Sequence, residues 1–165
     1  TPERGTAESM RRLDHLMLAL SLAVGAAEPL AAQAEPRFVN PRGLSVPRGY
    51  TQLVDVPPGR HLLFLSGQVP LDSIGRLVGP GDFRVQARQV FENIRLALAG
   101  GGATFKDLVK VTFYLRDVRD LTALREIRDQ YINTATPPAS TLVQVPALFR
   151  DDVLLEVEAV AVTGP

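Results

Sequence analysis

The sequence has no cysteine and only two histidines, His15 and His61, among its 165 residues. Without thiols the chain cannot form a disulfide, a cysteine nucleophile, an iron–sulfur cluster or a cysteine-ligated zinc site. Two histidines leave little from which to build a histidine-rich metal site or a hydrolytic triad. We therefore predict no metal site, and we expect any chemistry to depend on carboxylates, tyrosines, hydroxyls, arginines and backbone groups.

A surplus of charge of one sign is also lacking. Eighteen basic residues balance eighteen acidic ones, so the formal net charge is zero. Because phosphate backbones and acidic lipids are bound by a basic surplus on one face, we predict no nucleic-acid partner. The composition, 45% hydrophobic and 22% charged, is that of one ordinary domain that is large enough to bury a core.

Long apolar runs are lacking except for one near the start, Leu16 to Ala27. Met10 and two arginines precede this run, and Ala32-Gln33-Ala34 follows it, which is the layout of a secretory signal. About twelve apolar residues are too few for a membrane anchor, which needs about twenty. We predict that residues 1–34 comprise an over-long start and a signal peptide, that Met10 is the initiator, and that the mature chain begins near Glu35.

The alternative for this segment is an amphipathic first helix packed on the domain. The run is apolar all round and has no polar face for water, which argues against that alternative. The signal peptide implies a periplasmic or secreted protein with no membrane partner after cleavage. If the leader is not functional, the protein is cytoplasmic.

Hydrophobic periodicity outlines the rest of the chain as an α+β domain. Residues 35–49, rich in Pro, Arg and Gly, are an extended lead-in, and the domain covers 50–165. Strands over 50–56 and 61–68 flank Pro57-Pro58-Gly59, which suggests a hairpin. The other predicted elements are a helix opened by Asp82 and stopped by Gly100-Gly101-Gly102, a strand over 107–116, a helix from Asp120 to about Asn133, and strands over 141–145 and 153–162.

This order is β-β-α-β-α-β-β, and we predict an α+β sandwich with two helices packed on one sheet face. In the strand over 107–116, Val109, Val111, Phe113 and Leu115 point one way, and Lys110, Thr112 and Tyr114 point the other. A sheet with one face covered by helices and one mixed polar and apolar face suggests oligomerisation.

Two glutamates lie on one face of the last strand. Glu156 and Glu158 are two residues apart, so their side chains leave the same face, while Leu155, Val157 and Ala159 take the opposite face. Carboxylates on a half-buried surface need donors or take up a proton. Lys110 and the other polar residues of the neighbouring strand can supply donors, and a Lys110–glutamate pair that holds a subunit interface is the purely structural interpretation, favoured for Glu158.

Several short motifs occur in a recognisable series, and their sequences are Leu-Ser-Gly-Gln-Val-Pro over 65–70, Gln-Ala-Arg-Gln over 86–89, Glu-Asn-Ile over 92–94, Val-Lys-Val-Thr over 109–112, Pro-Ala-Ser-Thr over 138–141 and Leu-Glu-Val-Glu-Ala over 155–159. The series resembles the Rid family (reactive intermediate deaminase, RidA/YjgF-like), and the resemblance covers residues 50–163 without large gaps. It implies a chorismate-mutase-like fold, a homotrimer with small-molecule clefts between subunits, and no cofactor.

The resemblance also implies an activity and roles for single residues. Well-studied members hydrolyse imines and enamines, such as 2-aminoacrylate, to a keto acid and ammonia. By the match of motifs, Glu156 is the glutamate that positions or activates the attacking water. The backbone of Ser66 and Gly67 contacts the ligand, Tyr50 is a cleft tyrosine, and the backbone amide of Leu142 faces the ligand.

The chain departs from the family at Ser140, where active deaminases have an arginine that binds the substrate carboxylate. A serine hydroxyl lacks the charge and one of the two hydrogen bonds of that contact. Arg125, on the second helix at a position where deaminating members often have a cleft asparagine, is a candidate replacement. The alternative is that Arg125 belongs to a solvated helix face together with Glu126, Arg128 and Asp129.

Two functions follow from these features. One is a hydrolytic deaminase of the 2-iminobutanoate/2-iminopropanoate type, with a substrate range altered by Ser140. The other is a non-catalytic trimer that binds a small ligand in the same clefts, which Ser140 and export to the periplasm would favour. A chaperone-like or structural role has no specific feature in this sequence.

Overall fold

A computed structural model of the protein describes residues 34–164. The predicted signal peptide and the initiator Met10 lie outside the described residues. Within them no helix is long and apolar enough to cross a membrane. The strands and helices are β1 (Arg37–Val39), β2 (Leu53–Asp55), β3 (His61–Gln68), α1 (Phe83–Gly100), β4 (Leu108–Leu115), α2 (Leu121–Arg128), β5 (Ala139–Gln144) and β6 (Leu155–Thr163), with two short 3₁₀ turns before β4 and α2.

Four strands form the main sheet in the order β3-β6-β4-β5, with β6 in the middle of the pairing. β6 runs antiparallel to both of its neighbours, and β5 runs parallel to β4. A parallel pair needs a crossover connection, which α2 provides between β4 and β5. The two helices pack on one face of this mixed sheet, as the sequence predicted.

The predicted first helix is confirmed with its start and its stop. The Asp82 carboxylate accepts a hydrogen bond from the Val85 N–H (3.1 Å), which satisfies one of the free donors of the first turn. The helix ends at the glycines, where Gly102 has a φ of +72° and the Ala103 N–H bonds back to the Leu98 carbonyl. Apolar residues at helical spacing form the buried stripe of this helix, and its members are Phe83, Ala87, Val90, Phe91, Ile94 and Leu98.

Side chains along β4 alternate between the core and the open face of the sheet, as predicted, except at one position. Val111, Phe113 and Leu115 of β4 face the core, but Val109 does not join that cluster, although its side chain is buried. The register shifts between Leu108 and Lys110, so Leu108 takes the core place. A β-bulge inserts one extra residue, and this reverses the face of the side chains before it.

The predicted hairpin across Pro57-Pro58-Gly59 is wrong. β2 pairs antiparallel with β1, inside the predicted lead-in, and the two strands form a separate sheet. β3 pairs with β6 instead. Consecutive prolines lack N–H donors and hold the preceding residue extended, so this turn does not bring its flanking strands into register.

The second helix differs from its prediction at both ends. Asp120 occupies the cap position but makes no capping hydrogen bond, and Asp117 instead caps the preceding 3₁₀ turn. The α-helix ends at Arg128 rather than near Asn133. Beyond it the chain tightens, with N–H groups of Gln130 and Tyr131 bonding to carbonyls three residues back. The Tyr131 ring stacks on Phe91 of α1, with centroids 5.0 Å apart.

One polar side chain in the core ties α1 to two loops. Gln86 is fully buried, and its amide nitrogen donates to the carbonyls of Gly79 (3.2 Å) and Asp152 (2.8 Å). Its amide oxygen accepts from the N–H of Leu154 (2.8 Å), just before β6. Gln86 therefore satisfies three backbone groups that the core shields from water.

We predict that Gln86→Leu lowers the free energy of unfolding by about 3 kcal/mol, because each buried backbone group left without a partner costs about 1 kcal/mol or more. Urea unfolding followed by circular dichroism measures this loss. Gln130 is exposed, so Gln130→Leu is the matched control, and we expect it to change the free energy of unfolding by about 0.5 kcal/mol or less. Equal small losses in both variants would show that the Gln86 amide does not anchor these loops.

Candidate functional site

The Ser66–Gly67 pair lies in a bulge of β3. Leu65 pairs with Ala159 and Gln68 pairs with Val157. An advance of three residues along β3 therefore matches an advance of only two along β6. Ser66 and Gly67 are the two residues of this interval without a partner in the register. Bulges of this kind turn backbone groups away from the strand ladder and are frequent beside active sites. The structure therefore gives this predicted ligand-contacting backbone an irregular geometry that an unbroken strand would not have.

Glu156 packs directly against Gly67. A β-carbon added to Gly67 would stand 2.8 Å from Glu156 Cδ, and still closer to Oε1. Only glycine leaves room for this carboxylate over the strand. The Glu156 side chain is half-buried, and no hydrogen bond or ion pair to it occurs among residues 34–164. The structure thus brings three of the predicted site residues together and leaves the carboxylate oxygens available to a ligand or water.

Glu158 has a different environment on the same face. The Tyr114 hydroxyl donates a 3.1 Å hydrogen bond to Glu158 Oε1. This bond raises the pKa of Tyr114 above its ordinary value, with burial and the nearby charges of Glu158 and Glu156 acting in the same direction. Glu158 is exposed and has a protein donor, so the two glutamates that the sequence placed side by side are not equivalent.

Within one copy of the chain, Lys110 forms no ion pair with a glutamate. Its ammonium donates to the Thr141 hydroxyl (2.7 Å) and to the Val111 carbonyl (3.2 Å). No Lys110–glutamate pair within 4.0 Å occurs in the described part of the chain. Burial lowers the pKa of Lys110, and the charge of Glu158 partly opposes that shift. Within one copy, the hydrogen bond from Lys110 to Thr141 therefore connects β4 to β5.

Tyr50 lies at the opposite edge of the sheet, next to the start of β5. The adjacent Thr51 donates its hydroxyl to the Pro137 carbonyl (2.6 Å) and its N–H to the Pro138 carbonyl (3.1 Å), and it bridges to Ala139. This places Tyr50 beside the segment that carries Ser140. The buried Thr51 therefore holds this segment to the residues just before β5. No sequence motif singles out Thr51.

Ser140 and Leu142 follow on β5, opposite Val111 and Phe113 of β4. Both partners belong to the core, so the Ser140 and Leu142 side chains lie on the helix-covered face. Arg125 is exposed on α2, and within the described residues no hydrogen bond or ion pair joins its side chain to another predicted site residue. The backbone pairing of Thr51 places Tyr50 beside the segment that carries Ser140 and Leu142.

The predicted site consists of two separate groups in one copy of the chain. The glutamate group contains Ser66, Gly67 and Glu156, and the tyrosine group contains Tyr50, Ser140 and Leu142. β3 and β5 are the outer strands of the sheet, with β6 and β4 between them. Two strand spacings and three residues along the strand separate the α-carbons of Glu156 and Ser140 by about 14 Å, and their side chains leave opposite faces.

The face that the helices do not cover is partly apolar. Phe64 is 76% exposed, and Leu62 and Val143 are also exposed. A cleft of about 280 Å³ on this face reaches from Phe64 and Ser66 to Lys110, Thr112 and Glu158. Exposed apolar groups with polar groups between them, on a sheet face that no helix covers, are typical of an interface or a binding cleft. Within the described chain no group of three His, Asp or Glu residues is arranged to hold a metal ion.

Comparison with known proteins identifies relatives of this chain. The family model described as endoribonuclease L-PSP matches residues 44–163. Protein DfrA of Myxococcus xanthus is 40% identical over 114 residues, 69% of this chain and 85% of its own. The mouse protein named 2-iminobutanoate/2-iminopropanoate deaminase is 38% identical over 117 residues, 70% of this chain and 82% of its own.

The fold agrees with solved relatives. The crystal structure of YyfB of Yersinia pestis, described as a member of the conserved Rid protein family, superposes with a TM-score of 0.67. It is 29% identical and covers 78% of this chain and 98% of its own. Two helices on one face of a mixed sheet form the chorismate-mutase-like fold of these proteins. By its motifs, its fold and its relatives, the chain belongs to the Rid (RidA/YjgF-like) family of reactive intermediate deaminases.

Proposed function

We propose that the protein hydrolyses small reactive imines and enamines to a carbonyl compound and ammonia. One observation carries the proposal: the half-buried Glu156 carboxylate rests on Gly67 at the β3 bulge and has no protein partner among residues 34–164. The name of the mouse relative, 2-iminobutanoate/2-iminopropanoate deaminase, supports the same reaction class.

The proposed reaction needs one positioned water and one group that moves protons. The imine reacts as the iminium ion: Glu156 accepts a proton from water as the water oxygen bonds to the imine carbon and the C=N electron pair moves to nitrogen, which gives a neutral carbinolamine. The carboxylic acid then returns this proton to the nitrogen. As the C–N bond breaks, ammonia leaves with the bonding pair, the carboxylate takes the hydroxyl proton while the carbonyl forms, and that proton passes to ammonia, which leaves as ammonium. A carboxylate can serve as base and then as acid in this way, because it is regenerated in each cycle. An enamine enters the same route after protonation at carbon.

We further propose that the site is completed between copies of the chain in a homotrimer. The glutamate group and the tyrosine group lie at opposite edges and faces of one sheet, so a small ligand that contacts both requires a second copy. The exposed apolar side chains on the uncovered face, Phe64 above all, offer a surface for such an interface. An interface that joins the same two patches in every copy closes into a ring of three when neighbouring copies are related by a three-fold rotation.

Ser140 favours an altered substrate range for this hydrolase. A fork-like arginine contact to a carboxylate cannot be replaced by one neutral hydroxyl, and the loss in a partly buried cleft is worth about 2–5 kcal/mol in affinity. A substrate with a carboxylate therefore needs another cation in the cleft. Without one, the protein would favour imines that lack a carboxylate.

We predict that the full chain accelerates imine hydrolysis and that Glu156→Gln slows it by about 10²-fold or more, because the amide cannot take the proton of water. An amino-acid oxidase generates imino acids in place, semicarbazide competes for them, and the trapped fraction reports the rate. Glu158→Gln is the matched control, since it removes an equal charge two residues away. Its rate of imine hydrolysis should stay within a few-fold of that of the parent chain.

Two outcomes would contradict this proposal. Hydrolysis by Glu156→Gln at the rate of the parent chain would remove Glu156 from the reaction. A parent chain that is no faster than buffer, while it binds the imine or its product saturably, would identify the ligand-binding trimer instead.

Gly67→Ala provides an independent prediction for the same site. The added methyl group displaces the Glu156 carboxylate, which is the flexible end of its side chain, so we expect a folded protein that has lost at least about tenfold in hydrolysis rate. Gly100→Ala, where a β-carbon would meet nothing within 4 Å, is the control and should keep full activity. Unchanged activity in Gly67→Ala would show that the position of Glu156 over the bulge is not needed.

A further inference from the structure

A cavity of about 470 Å³ lies on the helix side of the sheet, where the end of α1 meets the 3₁₀ turn before β4. Its apolar walls are formed by Leu98, Ala99, Ala103, Phe105 and Tyr131. Phe105 and Tyr131 also pack against the core that the helices cover. A concave, mostly apolar space of this size is typical of a site for a small molecule.

Two aromatic rings line this cavity, and a third supports them from the core. The ring centroids of Phe105 and Tyr131 are 5.4 Å apart, and the two planes are tilted by 54°. Both rings contact Phe91, which is fully buried, at 6.3 Å and 5.0 Å. Burial raises the pKa of Tyr131, and its hydrogen bond to Glu92 acts in the same direction. Because tilted rings present both an edge and a face, this wall suits a further aromatic ring.

Two cationic side chains line the same cavity. Arg95 donates from Nε to Glu92 Oε2 (2.8 Å), and no hydrogen bond from its two terminal nitrogens occurs among residues 34–164. Lys106 is exposed, and its ammonium has no hydrogen bond or ion pair within that part of the chain. Two cations beside one carboxylate leave a positive charge at the cavity, with donors that point to an anionic group on the ligand.

The acidic residues that share an adjoining cavity with Lys106 have other partners. The Asp107 carboxylate accepts from the N–H (2.7 Å) and the hydroxyl (3.0 Å) of Thr104, which closes the 3₁₀ turn. Glu35 pairs with Arg60 at 2.7 Å. Neither carboxylate comes within 4.0 Å of the Lys106 ammonium, so the charge of Lys106 is available to a ligand.

The cavity is separate from the glutamate group. The 3₁₀ turn that lines it leads into β4, whose Leu108 pairs with Ala161 of β6. Glu156 is five residues from Ala161, which is about 17 Å along the strand, and its side chain leaves the other face. The uncovered face that offers a subunit interface is also on that other side. Assembly through the uncovered face therefore leaves the cavity accessible.

We propose that this cavity binds a small aromatic monocarboxylate, with its ring against Phe105 and Tyr131. Arg95 and Lys106 hold the carboxylate of this ligand. The apolar walls select the ring, and the two cations select the anion over a neutral molecule of the same shape. The ligand needs neither an imine nor a ketone, so this inference does not depend on the proposed hydrolysis.

The test is titration of the full chain with 3-phenylpropanoate, followed by calorimetry. We expect saturable binding of one ligand per chain with a Kd of about 1 mM or below. The alcohol 3-phenylpropan-1-ol has the same ring and length without the charge, and it should bind at least about fivefold more weakly. The absence of saturable binding, or equal binding of the acid and the alcohol, would overturn the proposal.

A variant that fills the cavity locates the bound ring. Ala99 is exposed on α1, and leucine is a good helix former, so Ala99→Leu keeps the fold while its side chain occupies the cavity. We expect this variant to bind 3-phenylpropanoate about tenfold more weakly or worse. Ala97→Leu is the matched control, because Ala97 is exposed on the same helix but does not line the cavity. Its Kd should stay within about twofold of the parent, and an unchanged Kd in Ala99→Leu would place the ligand elsewhere.

Two charge variants locate the carboxylate. Arg95→Gln and Lys106→Gln should each weaken binding of 3-phenylpropanoate by about threefold or more and leave binding of the alcohol unchanged. Arg84→Gln is the matched control, since it removes an equal charge from α1 about 16 Å away along the helix. Its Kd should stay within about twofold of the parent. Unchanged affinity in both charge variants would overturn the assignment of the anion.

Glu156→Gln separates this site from the proposed active site. We expect it to bind 3-phenylpropanoate as the parent does, because Glu156 lies on the other face of the sheet. Loss of binding in Glu156→Gln would assign the ligand to the catalytic group and overturn this inference. A parent chain that binds 3-phenylpropanoate as expected but hydrolyses no imine would overturn the proposed function alone.

Discussion

The alternation of side chains along β6 is the constraint on which both the core and the site depend. β6 pairs with a strand on each edge, and its side chains alternate between the two faces of the sheet. Leu155, Val157, Ala159 and Ala161 fill the core under the helices, and this fixes the register of the strand. A slip of one residue would bury two carboxylates in that core, which is prohibitively costly. Burial of the apolar set therefore holds Glu156 and Glu158 on the open face, where one of them meets Gly67.

The periodic parts of this fold could be predicted from the sequence. Spacings of two to four residues predict the apolar stripe of α1 and the two faces of β6. The Asp82 cap and the glycine stop of α1 are also local signals. Events that depend on distant pairing could not be predicted. The β4 bulge removes Val109 from the core, and β2 pairs with β1 because the double proline does not return the chain in register. The ends of α2 also depend on tertiary contacts, since Tyr131 stacks on Phe91.

The sequence proposes a set of site residues, but it does not indicate how they are arranged. Motif resemblance identified Glu156, Ser66, Gly67, Tyr50, Ser140 and Leu142, yet nothing local indicates that they form two groups at opposite edges of the sheet. The contact between Gly67 and Glu156, and that between Gly49 and Arg128, pair residues about 80 or more positions apart. Each contact requires a glycine because the partner's charged group occupies the space of a side chain. Two glycines at otherwise ordinary strand and loop positions were the available sequence signals.

The central claim is that Glu156 of one copy acts with Tyr50 of another. Mixing tests it most directly: Glu156→Gln and Tyr50→Ala chains are unfolded and refolded together in equal amounts, and imine hydrolysis is compared with each variant alone. Half of the copies carry an intact glutamate group and half an intact tyrosine group, so about a quarter of the shared sites become complete in mixed oligomers. The account predicts two inactive variants that recover about a quarter of the parental activity when mixed. Mixed oligomers that remain as inactive as the separate variants would contradict it.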